Sequence, residues 1–432
     1  MRSPATPKTT MHLKHIQSCR VCGSTALTPV INLGLQHLQG SFVKLGMNMP
    51  PNRRIPCELV RCDPTRDENA CGLLQMKHSV PPEILYSNYW YVSGTNQTMR
   101  DHLKDIAGSA NSFFPDSHVN PRRVLDIGCN DLTLLNFFPE DWDRIGIDPS
   151  NVSDTVPESG IRVVKDFFPS DKIDGQFDVI ASIAMFYDLE DPVNFARSIR
   201  ELLSDDGIWI VEMAYMPTML ANNSYDTICH EHLLFYSLSV LDRIMRKAGL
   251  SIFRALLNGS NGGSIQCYVQ HEGASRSNHG WQEELKFMRQ FEFDLELDTD
   301  KPYASFQSRI CNHRDKLVAI LRKLKQDGKT IHIYGASTKG NTLLQWCGID
   351  SRLIDCAADR NPSKNQAMTL GTCIQIVSEE ESRARKPDYY LVLPWHFRSE
   401  FIQRERDAHA LTGRSPGFIF PLPEIEVLPP MP

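Results

Sequence analysis

Val124-Leu125-Asp126-Ile127-Gly128-Cys129-Asn130-Asp131 is the stretch on which the fold turns. Arg123 to Asp126 is a short apolar run of the kind that forms a buried strand, and Gly128 comes next, where the chain turns sharply towards an expected helix. Glycine permits that turn and lets a ligand come close to the backbone, while a helix start offers free N–H groups. Upstream, a polar helix is expected from Met99 through Ser112. Downstream, Arg144 to Asp148, Phe177 to Ala181 and Gly207 to Glu212 are short apolar runs suited to strands buried on both faces, with a helix from Pro192 to Leu203. This alternation specifies an α/β fold with a mostly parallel sheet and helices on both sides.

About 20 residues beyond the first strand, the next one ends in Asp148, where a carboxylate can accept both hydroxyls of an adenosine ribose. Asp166 is placed to bond an adenine amino group. A dinucleotide cofactor needs Gly-x-Gly-x-x-Gly to clear its pyrophosphate, and only Gly128 stands at a matching position. A nicotinamide oxidoreductase is therefore disfavoured. S-adenosylmethionine has no pyrophosphate, so one glycine suffices, and Asp126 suits its ammonium group better than phosphates. Asn130 belongs to the same loop. The plain alternative makes Asp126 a turn residue in a sheet that binds nothing; the ordered series of strand, glycine and acidic strand end argues against it.

The chain has 432 residues, more than one hydrophobic core accommodates, so two or three domains are expected. A formal net charge of −6 gives no basic field for nucleic acid. No apolar run approaches the ~18–20 residues that cross a bilayer. Met1 to Thr10 has no apolar core of a secretory signal, and residues 1–13 read as a loose tail. Twelve scattered cysteines are no disulfide framework and point to a reducing, cytoplasmic setting.

Three blocks are expected: residues 14–95, an irregular module with five cysteines and a turn at Met49–Asn52; residues 96–310, the central domain; and residues 311–432, a smaller Rossmann-like unit. A charged helical stretch from Trp281 to Lys325 links the last two. The third block opens with a strand from Lys329 to Tyr334, then Gly335 to Gly340, a helix from Asn341 and a further strand from Tyr389 to Leu393.

The central residues resemble class I methyltransferases, and the flanking blocks narrow the resemblance to the sugar C-methyltransferase family, whose members methylate a carbon of a nucleotide-linked keto-sugar. It covers the chain from about Cys19 to about Glu405. Cys19-Arg20-Val21-Cys22 with Ile31 to Leu35, Val124 to Asp131, Tyr225 to His232, and Tyr334 to Thr342 carry it. Asp359-Arg360-Asn361-Pro362 and Pro394-Trp395-His396 match further positions of the family pattern. The resemblance implies a class I methyltransferase centre, an N-terminal zinc-binding module and a C-terminal Rossmann-like domain that helps bind the nucleotide sugar. The chain departs from the family pattern at Leu132 (usually Gly), at Cys229 (usually Tyr), near Asp188 (often His) and in an insertion between Cys62 and Cys71.

Cys19-x-x-Cys22 grips one side of a tetrahedral ion and needs a second pair. Cys62 and Cys71 stand where the resemblance puts it, with Cys57 as a substitute. Four thiolates leave no open position, so the Zn2+ is expected to be structural. Cys267, Cys311, Cys347, Cys356 and Cys373 lack ligand spacing and read mostly as small buried residues.

Methylating a sugar carbon calls for an enolate: a ketone acidifies the adjacent C–H, a base removes the proton, and a further group steadies the oxygen. His230-Glu231-His232 fits. In an extended segment the two imidazoles face one way and Glu231 the other. His232 is expected as the base, with Glu231 orienting or charging an imidazole, and with Tyr225 and Tyr91 holding the sugar or the enolate oxygen. The resemblance implies similar roles. A metal site here lacks a third ligand; a purely structural histidine pair is the bland alternative.

In the third block, the backbone amides of Ala336 to Lys339 are expected to cradle a pyrophosphate at a helix start, with Lys339 adding charge. Gly335, Asn341 and Asp359 belong to the same expected substrate site, as do Asn261 and Ser264. The expected activity is C-methylation of a nucleotide-linked keto-deoxysugar by a monomer or homodimer with no nucleic-acid or membrane partner. An O- or N-methyltransferase and a non-catalytic binding scaffold are the alternatives.

Overall fold

The computed structural model describes residues 13–44, 53–86, 89–114, 121–155, 160–409 and 415–430. The expected tail before Leu13 and the turn at Met49–Asn52 lie outside the described residues.

Arg123–Ile127 is the middle of the five parallel strands of the main sheet, and Val124, Leu125 and Ile127 make it apolar on both faces. Leu125 and Ile127 join one core and Val124 the other. The seven strands run in the order Leu250–Asn258, Ser264–His271, Leu203–Ala214, Phe177–Ile183, Arg123–Ile127, Asp143–Ile147, Arg162–Val164. The last five are mutually parallel, and the first two form an antiparallel edge. Gln97–Ser112 packs Met99, Leu103, Ile106 and Ala110 against one face, at the i, i+3/i+4 spacing of a helix stripe. Pro192–Leu202 and Leu238–Lys247 cover the other. Asp191 caps the first by accepting from Asn194 N, and Ser237 caps the second by accepting from Val240 N.

One expected element is missing. After Ile127 no α-helix forms; the chain makes a tight turn and a single 3-10 turn at Leu135–Phe137. Asn130 and Leu132 adopt φ of 48° and 62°, which a right-handed helix cannot include, and Pro139 closes the segment. The loop therefore does not run into a helix N-terminus of its own; the amides of Ser93 and Gly94, which precede the helix Gln97–Ser112, donate to its Asn130 and Asp131 instead.

The N-terminal module is more regular than its sequence indicates. Leu27–Gln36, Ile55–Cys62, Leu74–Met76 and Leu234–Phe235 form a four-stranded antiparallel sheet. Pro29, Gly34 and two register shifts in the first strand break the alternation that would have shown it. Its fourth strand comes from the central block, directly after His232.

The expected helical link is two helices, His279–Asp294 and Lys301–Gln326, separated where Glu296 takes a φ of 53°. The C-terminal sheet runs Ile376–Val377, Cys356–Ala358, Ile331–Tyr334, Tyr389–Val392, Gly417–Phe420, Glu426–Leu428, parallel except for the last pair. The helix after Tyr334 is Thr338–Cys347, starting three residues before the expected Asn341 because the Ser337 hydroxyl caps it by accepting from Gly340 N at 3.0 Å. Phe42–Lys44 pairs with Ala367–Thr369, fastening the first block to the third. No described helix is long and apolar enough to cross a membrane.

Candidate active site

One cavity of about 470 Å3 takes its walls from all three blocks. Phe42 comes from the first, the loop after Arg123–Ile127 and the turn at Glu231-His232 from the second, and the loop after Ile331–Tyr334 from the third.

The first wall is acidic. Gly128, at φ 79°, bends the chain, and a β-carbon there would press on Met185 at 3.3 Å. Asp126 is 3% exposed and accepts no hydrogen bond among the described residues; burial, followed by the fields of Asp148 and Asp131, pushes its carboxyl up to about 8. A buried carboxyl with no partner calls for a cation. Asp148 accepts from Asn130 N at 2.9 Å and from Ser150 N at 2.7 Å, which fixes its orientation. Asn130 accepts from Ser93 N and donates to Tyr91 O at 3.0 Å, tying the loop to the preceding segment. Asp166 also lines the cavity, its oxygens engaged by Phe167 N, Ser170 and Lys172. The set fits S-adenosylmethionine: Asp126 for the ammonium, Asp148 for the ribose, Asp166 for the adenine edge. Leu132 packs into the core under the helix Gln97–Ser112 and leaves the cavity open.

At the second wall the His-Glu-His segment is a turn, closed by His232 N donating to Cys229 O at 3.1 Å, and not the expected extended run. The faces therefore sort differently: Glu231 and His232 line the cavity and His230 does not. His230 Nδ1 donates to Gln39 Oε1 at 2.7 Å and is locked into the module. His232 Nδ1 lies 2.7 Å from Thr227 O, and a carbonyl only accepts. The proton is thus on Nδ1, and Nε2 keeps its lone pair. Burial, followed by the Lys339 charge, pushes the His232 pKa down to about 3, so the ring is neutral at physiological pH. Glu231 bonds neither imidazole; Gln39 and Thr227 do the orienting assigned to it from sequence.

Tyr91 lines the cavity, but Tyr225 does not. The Tyr225 hydroxyl is fully buried beside His313 Nδ1 at 3.1 Å and Cys347 Sγ at 3.4 Å, so it holds two helices together and is out of reach of a sugar.

The third wall is mixed in charge: Lys339, Arg360, Lys364 and Arg404 line it with Asp359 and Glu379, Lys364 paired to Asp359 and both arginines to Glu379. Gly335 at φ 84° opens it, and Pro394 sits where a side chain would go. Ala336 N donates to Asp359 Oδ2 at 2.9 Å, so this amide is consumed. The amides of Ser337, Thr338 and Lys339 make no hydrogen bond among the described residues, and all three residues line the cavity. Lys339 donates to Asn261 O at 2.7 Å. Asn261, Gly335 and Asp359 line the cavity as expected. Ser264 instead donates to Ser260 O within its strand start, and Asn341 donates to Gln39 O; both lie outside it. Arg360, Lys364, Arg404 and Asp188 also line the cavity, beyond the residues expected from sequence. Arg360 carries a signal of its own, standing within Asp359–Pro362; Arg404, on a helix of ordinary charged pattern, carries none.

Away from the cavity, the sulfurs of Cys19, Cys22, Cys62 and Cys71 lie within 4.8 Å of one another, a zinc-binding set of four thiolates. Cys57 is apart from it, its thiol buried near Ile228 O. Cys267, Cys347 and Cys356 are buried, and Cys373 is exposed.

Comparison with known proteins finds three family models along the chain. Residues 19–86 match the family model "Putative zinc binding domain", residues 99–254 "Methyltransferase domain" and residues 259–423 "C-methyltransferase C-terminal domain". C-methyltransferase NovU of Streptomyces niveus is 26% identical over 424 residues, covering 96% of this chain and 98% of that protein. Among solved structures, the plantazolicin methyltransferase BpumL in complex with SAH aligns at a TM-score of 0.33 and 13% identity over 39% of this chain and 82% of that one. Magnesium protoporphyrin IX methyltransferase of Synechocystis PCC 6803 aligns at 0.31 and 13% identity over 40% and 87%.

Proposed function

We propose that this S-adenosylmethionine-dependent methyltransferase is a C-methyltransferase whose acceptor is the carbon beside the ketone of a nucleotide-linked keto-deoxysugar. One observation carries the proposal: a single cavity has an acidic wall suited to a cationic amino acid, a wall with three free amides and Lys339 suited to a diphosphate, and a neutral imidazole lining the same space.

The residues divide the work. Asp126, Asp148 and Asp166 hold the cofactor, which when bound supplies an electrophilic methyl group. The free amides of Ser337 to Lys339 take the diphosphate, aided by Lys339 and Arg360. His232 Nε2 accepts the proton from the carbon beside the ketone, because its lone pair is left free by the Nδ1 bond to Thr227 and the ring lines the cavity. The C–H pair moves into the enolate, whose carbon takes the methyl group as the carbonyl re-forms. His232 then loses its proton to solvent. Tyr91 is available to the sugar. The cysteine site acts at a distance by holding the module that forms the Phe42 side.

The test is incubation with S-adenosylmethionine and a panel of nucleotide 4-keto-sugars, reading by mass a product one methylene heavier and by NMR the carbon that carries it. His232→Asn is expected to keep cofactor affinity and to lose hydrogen exchange at the substrate C–H. Full exchange in that variant removes His232 from the role. Methylation of a sugar lacking any C–H beside a ketone favours an oxygen or nitrogen acceptor instead.

A further inference from the structure

Glu231 is 6% exposed and lines the cavity, yet its carboxyl group makes no hydrogen bond or ion pair among the described residues; only its main-chain oxygen is bonded, by Tyr86. A polar group buried without a partner is costly and calls for one. Space for this one is built in, since a β-carbon at Gly40 would collide with Glu231 Oε1. Base and carboxyl adjoin in one turn and open on one cavity. Tyr89, Tyr91 and Tyr187 line the same cavity, Tyr187 with its ring 4.1 Å from that of His232, but none of them shares the His232 turn as Glu231 does; three further donors are excluded by place or partner. Lys339 donates to Asn261, the Tyr225 hydroxyl is held outside the cavity, and Cys229, where the family pattern has tyrosine, is buried and does not line it.

We infer that Glu231 is a catalytic donor, hydrogen-bonding the ketone oxygen and stabilising the charge that gathers there while His232 removes the neighbouring proton. This rests on the keto-sugar reading above. The C–H bond breaks, its electrons pass to the oxygen, and its proton goes to His232 Nε2. Glu231 keeps its own proton throughout and shares it with the oxygen. When the carbon gains its methyl group the carbonyl returns and the hydrogen bond weakens. The interaction is therefore strongest at the charged stage, as an oxyanion donor requires.

Burial pushes the Glu231 carboxyl up to about 7, so a proton is at hand near neutrality. The titratable groups facing it are Asp188, Tyr86, Tyr89, Tyr187 and Cys229, all raised chiefly by burial, with His232 beside it and Lys339 on the third wall. The active form is protonated, so kcat falls as pH rises through about 7. His232, neutral above about 3, sets no limit in that range.

Two variants test this in the full chain. Glu231→Gln keeps an N–H donor that cannot ionise; Glu231→Leu keeps bulk and donates nothing. The readouts are deuterium exchange at the substrate C–H with the demethylated cofactor bound, and kcat across neutral pH at saturating cofactor and sugar. The Leu variant is expected to lose roughly 10²–10³ in kcat with cofactor affinity retained. The Gln variant is expected to exchange and to lose the alkaline fall. A Leu variant with wild-type kcat overturns the inference, as does a Gln variant that keeps the alkaline fall. Should the Leu variant not fold, the pH profile of the Gln variant decides alone. Exchange in the wild type with an unaffected Leu variant defeats this inference only; no exchange in the wild type with every keto-sugar defeats the reading beneath it too.

Discussion

After Arg123–Ile127 the chain turns through Gly128 at φ 79°, and after Ile331–Tyr334 it turns through Gly335 at φ 84°. From matching glycines the two loops diverge. The first leads into left-handed residues and no α-helix, gathers Asp126, Asp131 and Asp148, and leaves one carboxyl without a partner. The second leads into a capped helix, leaves three amides free and gathers Lys339, Arg360 and Lys364. A strand-glycine opening thus sets only where a ligand lies. What surrounds the glycine sets the charge each opening suits, because a helix start presents N–H groups, while a turn without one presents side chains, here Asp126 before the glycine and Asp131 after it.

The comparison can be broken most severely by removing the module beside both loops. Chelation of zinc, or Cys71→Ser, is expected to withdraw on the order of 10 kcal/mol of metal-dependent folding energy from the module and to abolish binding of cofactor and sugar together. Zinc content, near-ultraviolet circular dichroism and both affinities check this; unchanged affinities in metal-free protein would make that wall dispensable. A narrower cut separates the loops. Asp126→Asn is expected to weaken binding of the demethylated cofactor by about a hundredfold and to leave nucleotide-sugar binding alone, measured by calorimetry. Its mirror, Lys339→Met, is expected to raise the sugar KM by about tenfold while sparing the cofactor. If the two variants affect the same ligand, charge does not divide the loops. The mildest test is pH. The Asp126 carboxyl sits near 8 without cofactor and must ionise to meet an ammonium, so binding releases a proton below that value. Cofactor affinity is then expected to fall as pH drops below about 8, by at most about tenfold per unit, and to be level in Asp126→Asn.

The main strands were legible because each is buried on both faces and so reads as an unbroken apolar run, as in Phe177–Ile183. The cysteine quartet was legible from Cys19-x-x-Cys22 and the later pair. The module sheet was not, because one long strand carries Pro29 and Gly34 and another, Leu74–Met76, has three residues. The missing helix after Gly128 was hidden by residues compatible with one until Leu132 is seen at positive φ. Tyr225 looked available to substrate because its partners, His313 and Cys347, lie 88 and 122 residues away. Glu231 and His232 were found as a pair, but the faces they share depend on a closed turn that spacing alone does not reveal.

The antiparallel clasp of Phe42–Lys44 on Ala367–Thr369 sets an order of assembly. Lys44 Nζ reaches Asn365 O at 3.0 Å, a partner 321 positions further along the chain, so this seam cannot close on a ribosome until most of the chain has been made. Phe42–Lys44 must wait for Ala367–Thr369, and a product ending inside the linking helices carries the loop after Arg123–Ile127 without the partner of Phe42–Lys44. Synthesis of the chain through Thr369 thereby becomes a condition for closing that seam.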